Sequence, residues 1–443
     1  MKIYLSDKFT YGKLLRFTAP SIIIMMIFTS IYGVLDGFFV SNYVGKTPFA
    51  AVNFIYPFLM ILGTVGFMFG TGGSAIVAKT LGENNEEKAN RLFSFFVYIS
   101  VALGAVIAVL AFIFIRPIAA ALHAEGELLE NCVLYGRIFI LGLPMYVLQM
   151  EFQSFFVTAG KPGLGFLSTV AGGLTNMIFD ALFIVVFKWG LAGAAAATVM
   201  GQCVGGIIPL AYFFRPNTSL LRLGKTNFDG AALLKATTNG SSELMSNISM
   251  SLVSMLYNVQ LIKYAGEDGV SAYGVLMYVN LVFLAIFIGY SIGTAPVIGY
   301  HYGAKNPAEI GSILKKSFVI IGISSLAMLG FSEVMAGPLS RIFVGYDPAL
   351  YEMTVHGFRI FSFQFLFAGV SIFASSFFTA LSNGGVSAMI SFLRTLVFQT
   401  AAILILPLIW KLDGIWISIV AAELVSFVVS LIYIAAKRKK YGY

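Results

Sequence analysis

Residues 72–87, GGSAIVAKTLGENNEE, return 221 positions later as GTAPVIGYHYGAKNPA at 293–308. The shift pairs Gly72 with Gly293, Gly82 with Gly303 and Asn85 with Asn306. The same ungapped shift pairs TAG (158–160) with TAL (379–381), and KWGLAG (188–193) with IWKLDG (409–414). One register serving three separated places, at half the length of a 443-residue chain, reads as an internal duplication. The composition says what is duplicated. With 58% hydrophobic residues, 11% charged and a mean hydropathy of +0.89, the chain is too apolar for a soluble domain of this size. It reads as a polytopic membrane protein.

Stretches long enough to cross a hydrocarbon core of about 30 Å fall near 14–41, 49–76, 92–115, 133–159, 163–187, 191–214, 235–262, 270–300, 313–337, 353–380, 385–410 and 413–436. These are twelve, which puts both termini on one side. The first is too long for a signal-peptide core and no small-residue cleavage site follows it, so it is expected to remain as a spanning helix. Nineteen Lys and Arg fall in segments on the side of the termini and eight on the other, a bias that predicts cytoplasmic termini in the cell membrane. An even number of helices per repeat gives both halves the same orientation. The expected fold is an all-α membrane protein, with twelve transmembrane helices in two pseudo-symmetric six-helix bundles around a central cavity. The N-terminal lobe is 1–214, a polar cytoplasmic linker occupies 215–234, and the C-terminal lobe is 235–443. Basic loops account for the net charge of +8, so no nucleic acid partner is expected. Cys132 and Cys203 have no metal-type spacing and read as packing residues.

Polar residues inside the spans point to function. The first span carries Ser21, Met25, Thr29, Tyr32 and Asp36, and the seventh Glu243, Asn247, Ser251, Ser254 and Asn258. Both series follow one helix face. They read as walls of a substrate cavity, with Met25, Thr29, Tyr32, Glu243, Asn247 and Ser254 as candidate contacts; the plainer alternative is helix-to-helix glue. With 42 Phe and 21 Tyr in the chain, the wall is expected to be apolar and rich in aromatics. An acid at mid-membrane costs roughly 2.5 to 3.5 kcal/mol on insertion scales, so each of six needs a reason. Glu333 is close enough to a span end to reach the interface, Glu423 pairs with Arg394 of the preceding helix as a structural ion pair, and Glu151 has no evident partner. Asp36 and Asp180 fall at one depth, Asn176 lies one turn deeper than Asp180, and Thr198 returns to that level on the next helix. Four oxygen-bearing side chains thus gather in the outer half of the N-terminal bundle. Pro20 frees a carbonyl near the start of the first helix and makes a bend possible there.

At these residues the chain resembles the multidrug and toxic compound extrusion (MATE) family of the MOP flippase superfamily. The resemblance covers nearly the whole chain: the two repeated loops, the twelve spans, and NMIFDALFIVVFKWGLAGAAAAT (176–198), similar to the family's Asn-x-x-x-Asp helix running into a Gly-Ala-Ala-x-Ala-Thr segment. It implies that Asp36, Asn176, Asp180 and Thr198 form an N-lobe site for Na+ or H+, with no other cofactor. Some members also use an acid on the tenth helix, which the span 353–380 lacks, while Glu243 matches the seventh-helix acid of some members. The implied activity is secondary active antiport. A monomer in the lipid bilayer would export amphiphilic, cationic small organic molecules in exchange for Na+ or H+ by alternating access. The alternative is a flippase for a lipid-linked saccharide, which needs a strongly basic cavity; Arg394 is the one clear intramembrane base. An enzyme is not expected. The chain has no GxxxxGK[ST] or HExxH, and His123, His301 and His356 lie in loops or at span ends. The GTGGS run at 70–74 reads as close helix packing.

Overall fold

The computed structural model describes residues 5–27, 39–121, 124–345 and 347–443. It is 89% helical, with no strand among the described residues. The first half holds α1 (Tyr11–Ile27), α2 (Lys46–Gly82), α3 (Glu86–Ala121), α4 (Gly126–Leu141), α5 (Leu143–Thr158), α6 (Pro162–Asp180) and α7 (Gly190–Phe214). The second holds α8 (Gly230–Gly303), α9 (Pro307–Val344), α10 (Pro348–Ser362), α11 (Phe365–Ala380), α12 (Gly384–Phe392) and α13 (Gln399–Tyr441). Short π-helical segments occupy Val40–Val44, Ala181–Val186 and Leu393–Phe398. Among the described residues seven helices are long and apolar enough to cross a membrane, or nine when the bent pairs α4–α5 and α10–α11 each count as one. One of the seven, Gly384–Tyr441, breaks at Lys411 and makes two spans. The remaining two are α1 and the half of α8 before its break at Gly266, the half that carries Glu243 and Asn247. The twelve-helix reading is borne out.

The duplication is written in the backbone. Gly45 and Gly266 have φ of 131° and 62°, Asn84 and Lys305 of 57° and 53°, and Gly190 and Lys411 of 60° and 50°. Each pair is 221 residues apart, as are Gly142 and Phe363, which follow α4 and α10 at bends of 59° and 47°. Left-handed backbone costs a residue with a side chain about 1 to 2 kcal/mol. Lys305 and Lys411 adopt it where the topology requires a break, although neither is Gly.

Between the halves, glycines bring backbones into contact. A Cβ on Gly82 would sit 1.9 Å from the Tyr300 carbonyl oxygen, and one on Gly303 would sit 1.8 Å from that of Lys79. Lys79 and Tyr300 are themselves repeat equivalents, so this contact is self-complementary about a pseudo-twofold axis. The packing expected of GTGGS is present too: a Cβ on Gly72 would lie 2.2 Å from the Ala236 carbonyl oxygen, and one on Gly240 would lie 2.0 Å from that of Met68.

Two further segments tie this end together. The irregular connection spans 215–229, since α8 starts at Gly230, and it is pinned along α3: the Arg222 amide donates to Asn90 Oδ1 (2.7 Å) and the Gly224 amide to Ser94 Oγ (2.9 Å). The residues ahead of α1 reach the other half. Leu5 and Phe9 are buried in its core, the Phe9 amide donates to Glu309 Oε1 (2.8 Å), and Lys316 Nζ donates to the Phe9 carbonyl.

Candidate functional site

Asn176 and Asp180 occupy the last two turns of α6, and the π-helical segment Ala181–Val186 starts directly after Asp180. Single π turns inside α-helices widen the backbone and concentrate at functional sites. Helix α7 comes close because both helices have glycine at the contact: a Cβ on Gly172 would lie 2.9 Å from the Gly201 carbonyl oxygen. Gly172 is one turn before Asn176 and Gly201 three residues after Thr198, so the contact sets these side chains at neighbouring levels. Asn176 and Asp180 are wholly buried and Thr198 nearly so. The Thr198 hydroxyl donates to the Ala194 carbonyl (3.1 Å), which leaves its oxygen free to accept. Neither the amide oxygen nor the amide nitrogen of Asn176 has a hydrogen-bond partner among the described residues. A buried amide in that state costs about 1 to 3 kcal/mol unless something else engages it. The three side chains supply oxygen donors only, a set that suits a hard cation or a proton. Asp36, Thr29 and Tyr32 lie outside the described residues, and of Met25 only the helical backbone is described.

The second polar centre is in the C-terminal half. A cavity of about 260 Å³ is lined by Glu243, Ser254, Asn280, Gln364, Arg394 and Glu423 among others, with Thr71, Ser74 and Ser154 contributed by the first half. Its surface is mainly apolar, as expected, set with hydroxyl, amide and charged side chains, and Tyr273 is its one aromatic side chain among the described residues. The expected aromatic wall is therefore corrected. The aromatic rings pack the lobe interiors instead, as Phe93 does against Phe155 and Phe213, and Phe283 against Phe365, with centroids 4.9 Å apart in each case.

The seventh-span stripe meets this cavity in part. Glu243 and Ser254 line the cavity, joined by Ser246, Met250 and Val253, but Asn247 does not. Its amide donates to the Glu243 carbonyl of its own helix (2.8 Å). Steps of four residues drift by about 40° each, so alternating steps of three and four track the cavity face better. The Ser251 side chain lies outside the described residues, and Asn258 is exposed.

The Arg394–Glu423 pair forms as expected, with Nε at 3.0 and 2.9 Å from the two carboxylate oxygens and Nη2 at 2.9 Å from Oε1. Sequence reading missed that this pair faces the cavity, next to the start of the π-helical segment Leu393–Phe398. The overlooked signal is the hydroxyl run Ser371, Ser375, Ser376 and Thr379 on α11, all cavity-lining. Of the other acids, Glu333 accepts from the Ser362 hydroxyl (2.6 Å), and Glu151 is wholly buried with Ser100 as its polar neighbour.

The MatE family profile matches residues 21–182 and 244–403, once in each half of the duplication. The chain belongs to the MatE family. Among its relatives, the multidrug export protein MepA of Staphylococcus haemolyticus (strain JCSC1435) is 23% identical over 439 residues, covering 99% of this chain and 96% of its own. MepA of Staphylococcus aureus (strain MRSA252) is 23% identical over 436 residues, covering 97% and 94%. A solved outward-facing structure of a multidrug resistance MATE family transporter of the MOP superfamily superposes with a TM-score of 0.92 at 22% identity, over 98% of this chain and 97% of that one. The fold is shared along nearly the whole length.

Proposed function

We propose that this MatE chain is a secondary active antiporter that exports amphiphilic, cationic organic compounds in exchange for Na+ or H+. It would work as a monomer in the cytoplasmic membrane, with both termini in the cytoplasm and lobes 1–214 and 235–443 moving as near-rigid bundles. The observation that carries the reading is the separation of two buried polar centres. An oxygen-donor set on α6 and α7 is suited to the coupling cation, and a carboxylate-bearing cavity in the other half is suited to the cargo.

Asp36 and Asp180, expected at one depth in a low dielectric, would repel when both are ionised. A bound Na+, held by their carboxylates with Asn176 and Thr198, or a proton on one of them, relieves that repulsion. Either event would change the first helix, where Pro20 permits a bend, and with it the wall that Met25, Thr29 and Tyr32 are expected to form. Glu243 would draw the cationic group of the cargo, tuning recognition more than coupling. The saccharide-flippase reading is less well supported, since among the described residues two carboxylates and a single guanidinium line the cavity. That balance disfavours a pyrophosphate.

The test is efflux of a fluorescent organic cation from proteoliposomes with Na+ and H+ gradients imposed separately. Export should follow one gradient and vanish in Asp36→Asn and Asp180→Asn proteins that remain folded. Wild-type rates and ion dependence in those stable variants would overturn the proposal.

A further inference from the structure

The cavity has a charge arrangement that a simple cation does not use. Arg394 presents five N–H donors in a planar fork, and Glu423 engages only those on Nε and Nη2. Its Nη1 group has no partner among the described residues, although the guanidinium lines the cavity. Glu243 lines the same cavity with no ion pair among the described residues. Gly384 touches Asn239, which sets the levels of the two helices: a Cβ on Gly384 would lie 2.4 Å from the Asn239 Cα. Glu243 is four residues beyond Asn239 and Arg394 ten beyond Gly384, on helices that run in the same direction. At 1.5 Å per residue their levels differ by about 9 Å, a gap their side chains and one small ligand can span.

Neutral polar residues line the same cavity. Asn280 Oδ1, Gln364 Nε2 and Ser371 Oγ all belong to lining residues, are 8%, 1% and 0% exposed as residues, and have no hydrogen-bond partner among the described residues. Buried amides and hydroxyls without a partner are costly unless a ligand or water engages them. An apolar cation would satisfy none of them.

We infer that this cavity is built for amphoteric ligands, with Glu243 taking an ammonium group and the unspent face of Arg394 a carboxylate on the same molecule. This rests on the export reading and narrows its cargo from cations to zwitterions. Asn280, Gln364 and Ser371 would then hold the carbonyl, amide or hydroxyl groups between the charges. Glu423 keeps Arg394 extended, so the fork meets the carboxylate already oriented, and the ligand's own two charges leave the net charge of the site unchanged.

The probes are Nα-dansyl-lysine, whose ε-ammonium and carboxylate stand at opposite ends of the lysine chain beside an environment-sensitive fluorophore, and its methyl ester, a cation that differs by the masked carboxylate. Binding to the purified full-length protein should be ten- to a hundredfold tighter for the acid, the range of a hydrogen bond to a charged group. In the charge-balanced double variant Arg394→Gln/Glu423→Gln the acid-to-ester affinity ratio should collapse toward one, with Arg394→Lys intermediate. The wild-type ratio needs no variant to fold, so it stands by itself as a test. An ester that binds as tightly as the acid overturns the inference while leaving cation export in place. A preference for the acid that survives in the folded double variant overturns the role of Arg394. Binding of neither probe overturns both the inference and the assignment of this cavity to cargo.

Discussion

At position 180 the N-terminal lobe buries an Asp, and at the equivalent position 401 the C-terminal lobe has Ala. Asn176 corresponds to Val397 and Thr198 to Ile419; in the other direction, Arg394 corresponds to Gly173 and Glu423 to Gln202. Yet the backbone breaks at 45 and 266, 84 and 305, 142 and 363, and 190 and 411 recur in register. Duplication has preserved where the helices bend and where the lobes touch, while polar side chains have diverged position by position. Even the π-helical segments follow the chemistry: Ala181–Val186 abuts Asp180 and Leu393–Phe398 contains Arg394, on equivalent helices but at non-equivalent positions. Each lobe is a scaffold on which one polar centre is placed, and under the proposed function the two centres have different tasks.

That contrast can be broken most severely at Asp180. In Asp180→Asn, gradient-driven efflux should fall at least a hundredfold while the detergent-purified protein elutes as a folded species, because the substitution keeps the shape and removes only the charge. Next come the symmetric glycines. Valine at Gly82 or at Gly303 places carbon within 2 Å of a backbone carbonyl that has no room to retreat. Both should lower transport about tenfold or more, and by similar amounts, with increased labelling of a cysteine introduced at position 79 or 300 as the closed end opens. Unequal effects would mean that the contact is not functionally symmetric.

A stability measurement sharpens the C-terminal side. Arg394→Met alone strands the Glu423 carboxylate, 1% exposed, and should cost about 3 to 5 kcal/mol. Arg394→Met with Glu423→Leu should recover most of it, read as the thermal unfolding midpoint of the two purified proteins. Smaller still is Thr198→Ala, which removes one neutral donor and should weaken cation dependence severalfold, seen as a shift in the cation concentration for half-maximal efflux. The least effect is expected at the segment ahead of α1, where Glu309→Gln weakens one charge-assisted hydrogen bond to the Phe9 amide, about 1 kcal/mol, and should speed proteolysis near residue 9.

Much of the architecture was legible because membrane spans declare themselves by length and apolarity, and the 221-residue register survives in GGSAIVAKTLGENNEE. The span 235–262, before Gly266, was found like the others by its length and apolarity, and its polar stripe marked it as functional. The Arg394–Glu423 pair was legible because two opposite charges on consecutive spans have few other options in lipid. The cavity wall was not. Counting 42 Phe says nothing about which face of a helix each occupies, and the rings proved to be the filling of the lobes. Ser371 and Ser375 resemble ordinary membrane-helix serines until the helices beside them are known.

The division of tasks between the lobes is tested most directly by measuring ligand affinity and cation-coupled flux on the same two reconstituted variants, Asp180→Asn and Glu243→Gln. Asp180→Asn should bind a fluorescent organic cation within about threefold of wild type yet show no gradient-driven export. Glu243→Gln should lose about tenfold in affinity yet keep the wild-type dependence on the coupling cation. The reverse pattern, with affinity lost in Asp180→Asn and ion dependence lost in Glu243→Gln, would contradict the assignment of coupling to one lobe and cargo to the other.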